Sequence, residues 1–139
     1  MSQQQAEPKP RPAPLPDPEW APYWAATLED RLVVQRCPRC GHCQLYARAH
    51  CLACRGPVDW VTSAGLGTIY SFTVIRQNPS RSFRHLLPFV VALVDLDEGP
   101  RMMSNIVGCD PADVVIGARV RVRFEPVSEQ AAVPLFEPA

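Results

Sequence analysis

At 139 residues the chain has the length of one domain, or of two very small ones sharing a core. Its 14 basic and 14 acidic residues cancel, which argues against a protein that binds nucleic acid through bulk charge. Thirteen of the 14 basic residues are arginine, whose planar fork suits phosphates and carboxylates, although a GC-rich genome would leave the same bias. No apolar run approaches the ~18 residues needed to cross a bilayer.

The chain opens on Met-Ser-Gln-Gln-Gln-Ala-Glu-Pro, with neither a basic n-region nor an apolar h-region, so a soluble protein of a reducing, cytoplasmic compartment is expected. Proline stands at 8, 10, 12, 14, 16 and 18, and a segment so built forms neither helix nor ladder. Residues 1–18 are therefore expected to be an extended or disordered tail. At Glu19 the composition changes. Trp20, Tyr23, Trp24 and Leu28 fall at i, i+3, i+4 and i+8, one face of a short helix ending near Asp30, with Pro22 tolerated in its first turn. That face either packs on the chain's own core or docks on a partner, where aromatic anchors dominate binding energy. Residues 31–36 read as a strand running up to Cys37, which makes 19–36 a helix and lead-in strand.

The strongest signal lies at 37–61. Cys37-Pro38-Arg39-Cys40 and Cys51-Leu52-Ala53-Cys54 are two C-x-x-C pairs ten residues apart, the spacing of two knuckles that close on one tetrahedral ion. Gly41 suits the left-handed turn after the first knuckle. The second is less regular, with Arg55 directly after Cys54 and Gly56 one place later. A disulfide framework would require export, and a redox C-x-x-C would need no second pair. Zn2+ is the expected structural ion; iron, with the same ligands and geometry, stays open. His42, Cys43 and His50 are surplus to a complete tetrahedron and are expected to face solvent or the ribbon base. Cys109, in a Gly-Cys-Asp-Pro turn, reads as a small half-buried side chain. Residues 58–61 lead out of the ribbon, with Trp60 expected to cover its junction with the next unit.

Residues 62–139 read as closely spaced strands. In 67–76, Ile69, Ser71, Thr73 and Ile75 alternate with Tyr70, Phe72 and Val74 on the other face. A strand at 89–96 ends in the hairpin signal Asp97-Glu98-Gly99-Pro100, and residues 101–107 return. Asp110 as N-cap, Pro111 at the first helical position and Gly117 as terminator predict one helical turn. A half-buried strand then alternates Arg119, Arg121 and Arg123 with Val120, Val122 and Phe124. With the strand at 58–61, or one directly after it, about five strands are available. Closing them removes exposed edges and gives a small OB-fold barrel, so the fold class is mainly β: a short helix, a rubredoxin-like zinc ribbon, then a five-stranded OB-fold with a C-terminal extension.

These residues together also resemble a known family, an acyl-CoA-associated one that joins a rubredoxin-like zinc ribbon to a C-terminal OB-fold and is long known as a domain of unknown function. The likeness runs from about Trp20 to Ala139. It rests on Tyr23-Trp24, the Cys37-Pro38-Arg39-Cys40-Gly41 knuckle, Arg48, Cys51 and Cys54, Trp60, Gly65 and Gly67, and the stretches at 70–74 and 88–94. It continues through Ser104-Asn105, Asp110-Pro111, Ile116-Gly117, 120–125 and a Leu-Phe-Glu-Pro-Ala ending. Ala47 departs from the proline common there. The resemblance implies a catalytic partner: a thiolase-like protein, including retro-aldolases of steroid side-chain degradation, or a hot-dog-fold enoyl-CoA hydratase. The chain would then be an accessory subunit in a hetero-oligomer of lipid metabolism, sharing acyl-CoA with its partner. Arg76, Arg81, Arg84 and His85, on the 77–87 loop and its edge, are the candidates for the CoA phosphates. Trp20, Tyr23, Trp24 and Leu28 are the candidates for the partner interface. Two alternatives compete: a single-stranded nucleic-acid module stacking bases on Tyr70 and Phe72, and a rubredoxin-like electron carrier.

Overall fold

In the computed structural model, which describes residues 7–139, the aromatic segment folds as α1, Ala21–Thr27, shorter than its periodicity predicts. The helix ends early because Asp30 turns left-handed at φ 57° and the Arg31 N–H reaches back to the Ala26 carbonyl at 3.0 Å, a left-handed C-terminal cap. Residues 7–18 run without helix or strand, and residues 1–6 of the expected tail lie outside the described residues.

Two β units come after the helix. The ribbon is a three-stranded antiparallel sheet of β1 (Val33–Arg36), β2 (Cys43–Gln44) and β3 (Asp59–Thr62), ordered β2-β1-β3. The barrel is closed in the order β4-β5-β6-β8-β7, from β4 (Leu66–Ile75), β5 (Phe89–Leu96), β6 (Arg101–Ile106), β7 (Arg119–Pro126) and β8 (Ala132–Pro138). A 3₁₀ turn at Pro111–Asp113 precedes β7, with the Asp110 carboxylate accepting from the Ala112 N–H, as the capping residues predict.

Two sequence expectations about the barrel are corrected. The strand around 58–61 belongs to the ribbon, where Trp60 pairs with Gln35, and the fifth barrel strand is β8, drawn from the expected C-terminal extension. β8 lies between β7, antiparallel, and β6, parallel, and its Phe136 is fully buried. The predicted alternation of β4 also breaks. A register shift between Ile69 and Ser71 leaves Tyr70 bulged and exposed, so Ile69 is buried and Phe72 and Val74 then turn toward the core, not Ser71 and Thr73.

Ribbon and barrel share one core. Tyr23, Leu32, Val34 and Leu45 are continuous with Val90, Val94, Ile106, Val120 and Phe136. Tyr23, 4% exposed, is its hub: Trp20 and Trp24 meet its ring edge-on at 5.1 and 5.0 Å, and Trp60 lies 6.3 Å away from the ribbon side. Such aromatic pairs contribute about 0.5–1.5 kcal/mol each beyond their buried area. Burial raises the Tyr23 phenol well above its ordinary pKa, so it stays neutral.

Polar contacts lock the joint. The Thr27 hydroxyl donates to the Trp24 carbonyl at 2.6 Å and accepts from the Ala132 N–H at 3.0 Å, tying α1 to the start of β8. At the linker, Glu98 from the β5-β6 turn accepts from the Ser63 hydroxyl at 2.6 Å and the Ala64 N–H at 3.0 Å. Gly65 takes φ 72° there, and a Cβ would stand 2.5 Å from Val122. Replacing Thr27 by Val keeps the shape but leaves the buried Ala132 N–H without a partner, so it should cost about 1–3 kcal/mol in urea unfolding, whereas Leu28→Ala, at the exposed helix end, should change stability by less than about 0.5 kcal/mol.

Candidate metal centre and docking faces

The two knuckles have the same backbone. In the first, the Gly41 N–H donates to the Cys37 carbonyl and the Cys37 N–H to the His42 carbonyl, both at 2.9 Å. In the second, Arg55 donates to Cys51 and Cys51 to Gly56, both at 2.8 Å. Arg55, at φ 63°, therefore occupies the left-handed position that Gly41 holds at φ 78°. Gly56 serves differently: a Cβ there would lie 3.1 Å from Cys54 Sγ and 3.5 Å from Cys37 Sγ, so the backbone itself seals the cluster. The irregularity in the sequence is a change of residue, not of geometry.

This shared backbone brings Cys37, Cys40, Cys51 and Cys54 together with all four sulfurs within 4.8 Å of one another. The Cys37–Cys54 and Cys40–Cys51 sulfurs stand 3.5 and 3.6 Å apart. A tetrahedral ion with ~2.3 Å bonds to sulfur needs edges of about 3.8 Å, so the donor set fits one soft ion. N–H groups of Cys40, Ala53 and Gly56 point at the sulfurs of Cys37, Cys51 and Cys54, at 3.5, 3.4 and 3.4 Å. The Cys40 N–H is the main reason the Cys37 thiol is lowered to about 7, and the Cys54 N–H lowers Cys51 in the same way. Both shifts favour the thiolate that a metal takes. At Cys40 the His42 N–H, which lowers the thiol, is outweighed by burial and by the Cys54, Cys51 and Cys37 sulfurs, which push it up to about 12, so a cation among the four is what would let that sulfur ionise as well. His42 and His50 are exposed, and Cys43 is half-buried beside the Gly41 carbonyl.

One part of the ribbon has no counterpart in the sequence expectations. Gln35 and Gln44 are buried and joined, Gln44 Nε2 donating to Gln35 Oε1 at 2.9 Å. Gln35 also accepts from the Arg48 N–H and donates to the Arg48 carbonyl, both at 3.0 Å, while Gln44 accepts from the Leu52 N–H at 3.0 Å. The pair thus fixes the loop between the knuckles and hence the distance between the two cysteine pairs. Glutamine in a strand next to cysteine gives little sequence signal, because only its burial marks it.

The helix face divides by burial. Tyr23 lies in the core, Trp20 and Trp24 are half-buried, and Leu28 is exposed at the helix end. Between α1 and the barrel wall lies an open cleft of about 640 Å³, lined among others by Trp20, Trp24, Tyr46, Phe83, Phe89 and Met103. Arg76, Arg81, Arg84 and His85 are all exposed on the neighbouring loop, with Arg84 bonded to the Pro79 carbonyl at 2.7 Å and Arg81 to the Glu7 carbonyl at 2.8 Å. The Tyr70–Phe72 stacking platform does not form: Phe72 packs toward the core, and one face of the Tyr70 ring is taken by the Arg101 guanidinium, whose Cζ lies 3.4 Å from the ring centre. Cys109 has its thiol pKa raised by burial first and then by Asp113 and Asp110, the opposite of what a nucleophile needs.

Residues 24–60 match the family profile described as "ChsH2, rubredoxin-like zinc ribbon domain", and residues 60–125 match "ChsH2, C-terminal OB-fold domain". A DUF35 domain-containing scaffold protein of Methanothermobacter thermautotrophicus is 38% identical over 101 residues, covering 71% of this chain and 75% of that protein. The chain belongs to the DUF35 family. A further relative by sequence is the probable enoyl-CoA hydratase alpha subunit of Thermomonospora curvata, 36% identical over 119 residues. The match covers 84% of this chain but 36% of that subunit, so the chain spans about a third of that relative's length. Among solved structures, a chain of the "Ltp2-ChsH2(DUF35) aldolase" superposes with a TM-score of 0.81 at 33% identity, over 91% of this chain and 98% of that one. No helix of the described residues is long and apolar enough to cross a membrane.

Cys51→Ser should abolish stoichiometric metal binding and loosen the ribbon, while Cys43→Ser and Cys109→Ser should do neither; elemental analysis of chelator-free protein checks this. Equal metal content in Cys51→Ser and wild type would contradict the four-sulfur assignment.

Proposed function

We propose that the chain is an accessory subunit, without turnover of its own, of a complex that processes acyl-CoA. Its catalytic partner would be a thiolase-superfamily thiolase or retro-aldolase, or a hot-dog-fold enoyl-CoA hydratase. The observation that carries this reading is the overlap with a chain of the Ltp2-ChsH2(DUF35) aldolase, which spans nearly the whole of both chains. The hydratase alpha subunit and the DUF35 scaffold protein support the same class of role.

In this reading Zn2+ is the resident ion of the four cysteines and its part is structural: it closes a ribbon too small to fold on its own apolar area. The chain's own residues do the rest. The α1 end offers Leu28, with Trp24 and Trp20 beside it, to the partner, and Tyr23 holds those rings from beneath. The loop carrying Arg76, Arg81, Arg84 and His85 presents forked cations to the phosphates of CoA at the partner's mouth. Burial raises the thiol pKa of Cys109, the opposite of what an activated nucleophile at that position would need.

Co-expression with a thiolase-like or hydratase subunit tests the reading. Leu28→Asp should leave the fold intact and weaken the complex by roughly tenfold or more, since a charge replaces an exposed apolar anchor. Arg81→Ala with Arg84→Ala should leave the complex assembled and raise KM for acyl-CoA. Turnover of an acyl-CoA by rigorously partner-free protein would contradict the accessory role. Visible absorbance of a ferric tetrathiolate in the purified chain would instead favour the electron carrier.

A further inference from the structure

Tyr23 carries one polar atom into the core, and nothing in the fold answers it. The residue is 4% exposed, yet among the described residues its hydroxyl has no hydrogen-bond partner, and burial alone raises its pKa. Every described side-chain oxygen or nitrogen that is sealed from solvent does have a partner. The Tyr23 oxygen therefore still reaches open space, and the open space that Tyr23 borders is the aromatic cleft. Leaving a donor there unmet costs free energy that a bound acceptor recovers.

The cleft is shaped around that donor. Tyr23, Leu45, Met102 and Leu135 border it although all four are buried, so they form its floor. Half-buried Trp20, Trp24, Phe83 and Phe89 supply aromatic walls. The other polar side chains along it are already committed. Arg11 donates to Glu125 at 2.8 Å and to Asn105 at 3.1 Å, the Asn105 amide donates to the Val90 carbonyl at 2.9 Å, and Ser104 donates to the Pro134 carbonyl at 2.8 Å. Asn78 accepts from the Ser80 N–H at 2.9 Å, and Tyr46 is exposed to water.

We propose that the cleft binds a neutral, flat, apolar small molecule whose single carbonyl oxygen accepts from the Tyr23 hydroxyl. The cleft's volume of about 640 Å³ lies within the roughly 300–1,000 Å³ of small-molecule sites. The ligand is neutral because Arg11, the charged group on the wall, is already met by Glu125. One free side-chain donor suits a ligand with one acceptor, whereas a peptide brings an N–H and a C=O with almost every residue. The site lies within this chain and does not rest on its role as a subunit.

The test uses 1-indanone, a flat bicyclic ketone, and indane, the same frame without the oxygen. Each is titrated into the full chain and into Tyr23→Phe, with the shift of the Met103 methyl resonance in the cleft as readout. Tyr23→Phe should weaken 1-indanone about tenfold, the size of one hydrogen bond, and leave indane unchanged. The urea midpoint of Tyr23→Phe should equal or exceed that of the wild type, because the hydroxyl has no partner in the fold to lose. Equal 1-indanone affinity in the two proteins, no Met103 shift in the wild type, or a lowered urea midpoint in Tyr23→Phe overturns the site.

Discussion

The ribbon depends on four sulfurs being held close enough to share one ion. The ribbon sheet has strands of four, two and four residues, and it gives the core Val33, Val34 and Leu45 with Trp60 and Val61 packed partly buried against them. That is too little apolar area to order two turns and the loop between them against chain entropy. The turns are nevertheless built to the same pattern, with matching carbonyl and N–H pairs, one left-handed residue each, and N–H groups aimed at sulfur. Such preorganisation is intelligible if the bonds that complete the unit are to a metal.

The barrel is stabilised differently, by a hydrogen-bonded cycle that leaves no open edge and by a filled interior around Phe136. What couples the two units is a small set of contacts at their joint. Tyr23 gathers three tryptophans from helix and ribbon, Thr27 bridges helix and β8, and Glu98 fixes the linker through Ser63 and Ala64. The joint ties the α1 end, and with it one side of the cleft, to the barrel.

Much of this is legible in the residues. Cysteine spacing announces the four-sulfur site, the strand at 89–96 has the bounds its residues predict, and Asp110 and Pro111 mark their turn. Four features are not legible. β8 is hidden because Pro134 and Pro138 argue against a strand; both are tolerated because β8 meets β6 only at the Ile106–Phe136 pair, which leaves little ladder on that side for a proline to break. The β4 bulge inverts an otherwise plausible alternation, since a single unpaired residue at Tyr70 changes which face is buried without altering composition. The Gln35–Gln44 pair lies across two neighbouring strands and the Arg11 contacts reach Asn105 and Glu125, far along the chain, and no local pattern encodes either.

The helix illustrates the limit of periodicity in a small protein. Spacing correctly places Tyr23 and Trp24 on a helix, but periodicity cannot say how deep a face sinks. Tyr23 enters the core and Leu28 stays outside, so one apolar stripe serves both packing and display. The central claim, that the fold is completed by an ion bound through sulfur alone, is tested most directly by X-ray absorption spectroscopy of the chelator-free chain. The account predicts a zinc edge and a shell of four sulfurs at ~2.3 Å with no nitrogen. A nitrogen in that shell, drawn from His42 or His50, or the absence of bound metal, would contradict it.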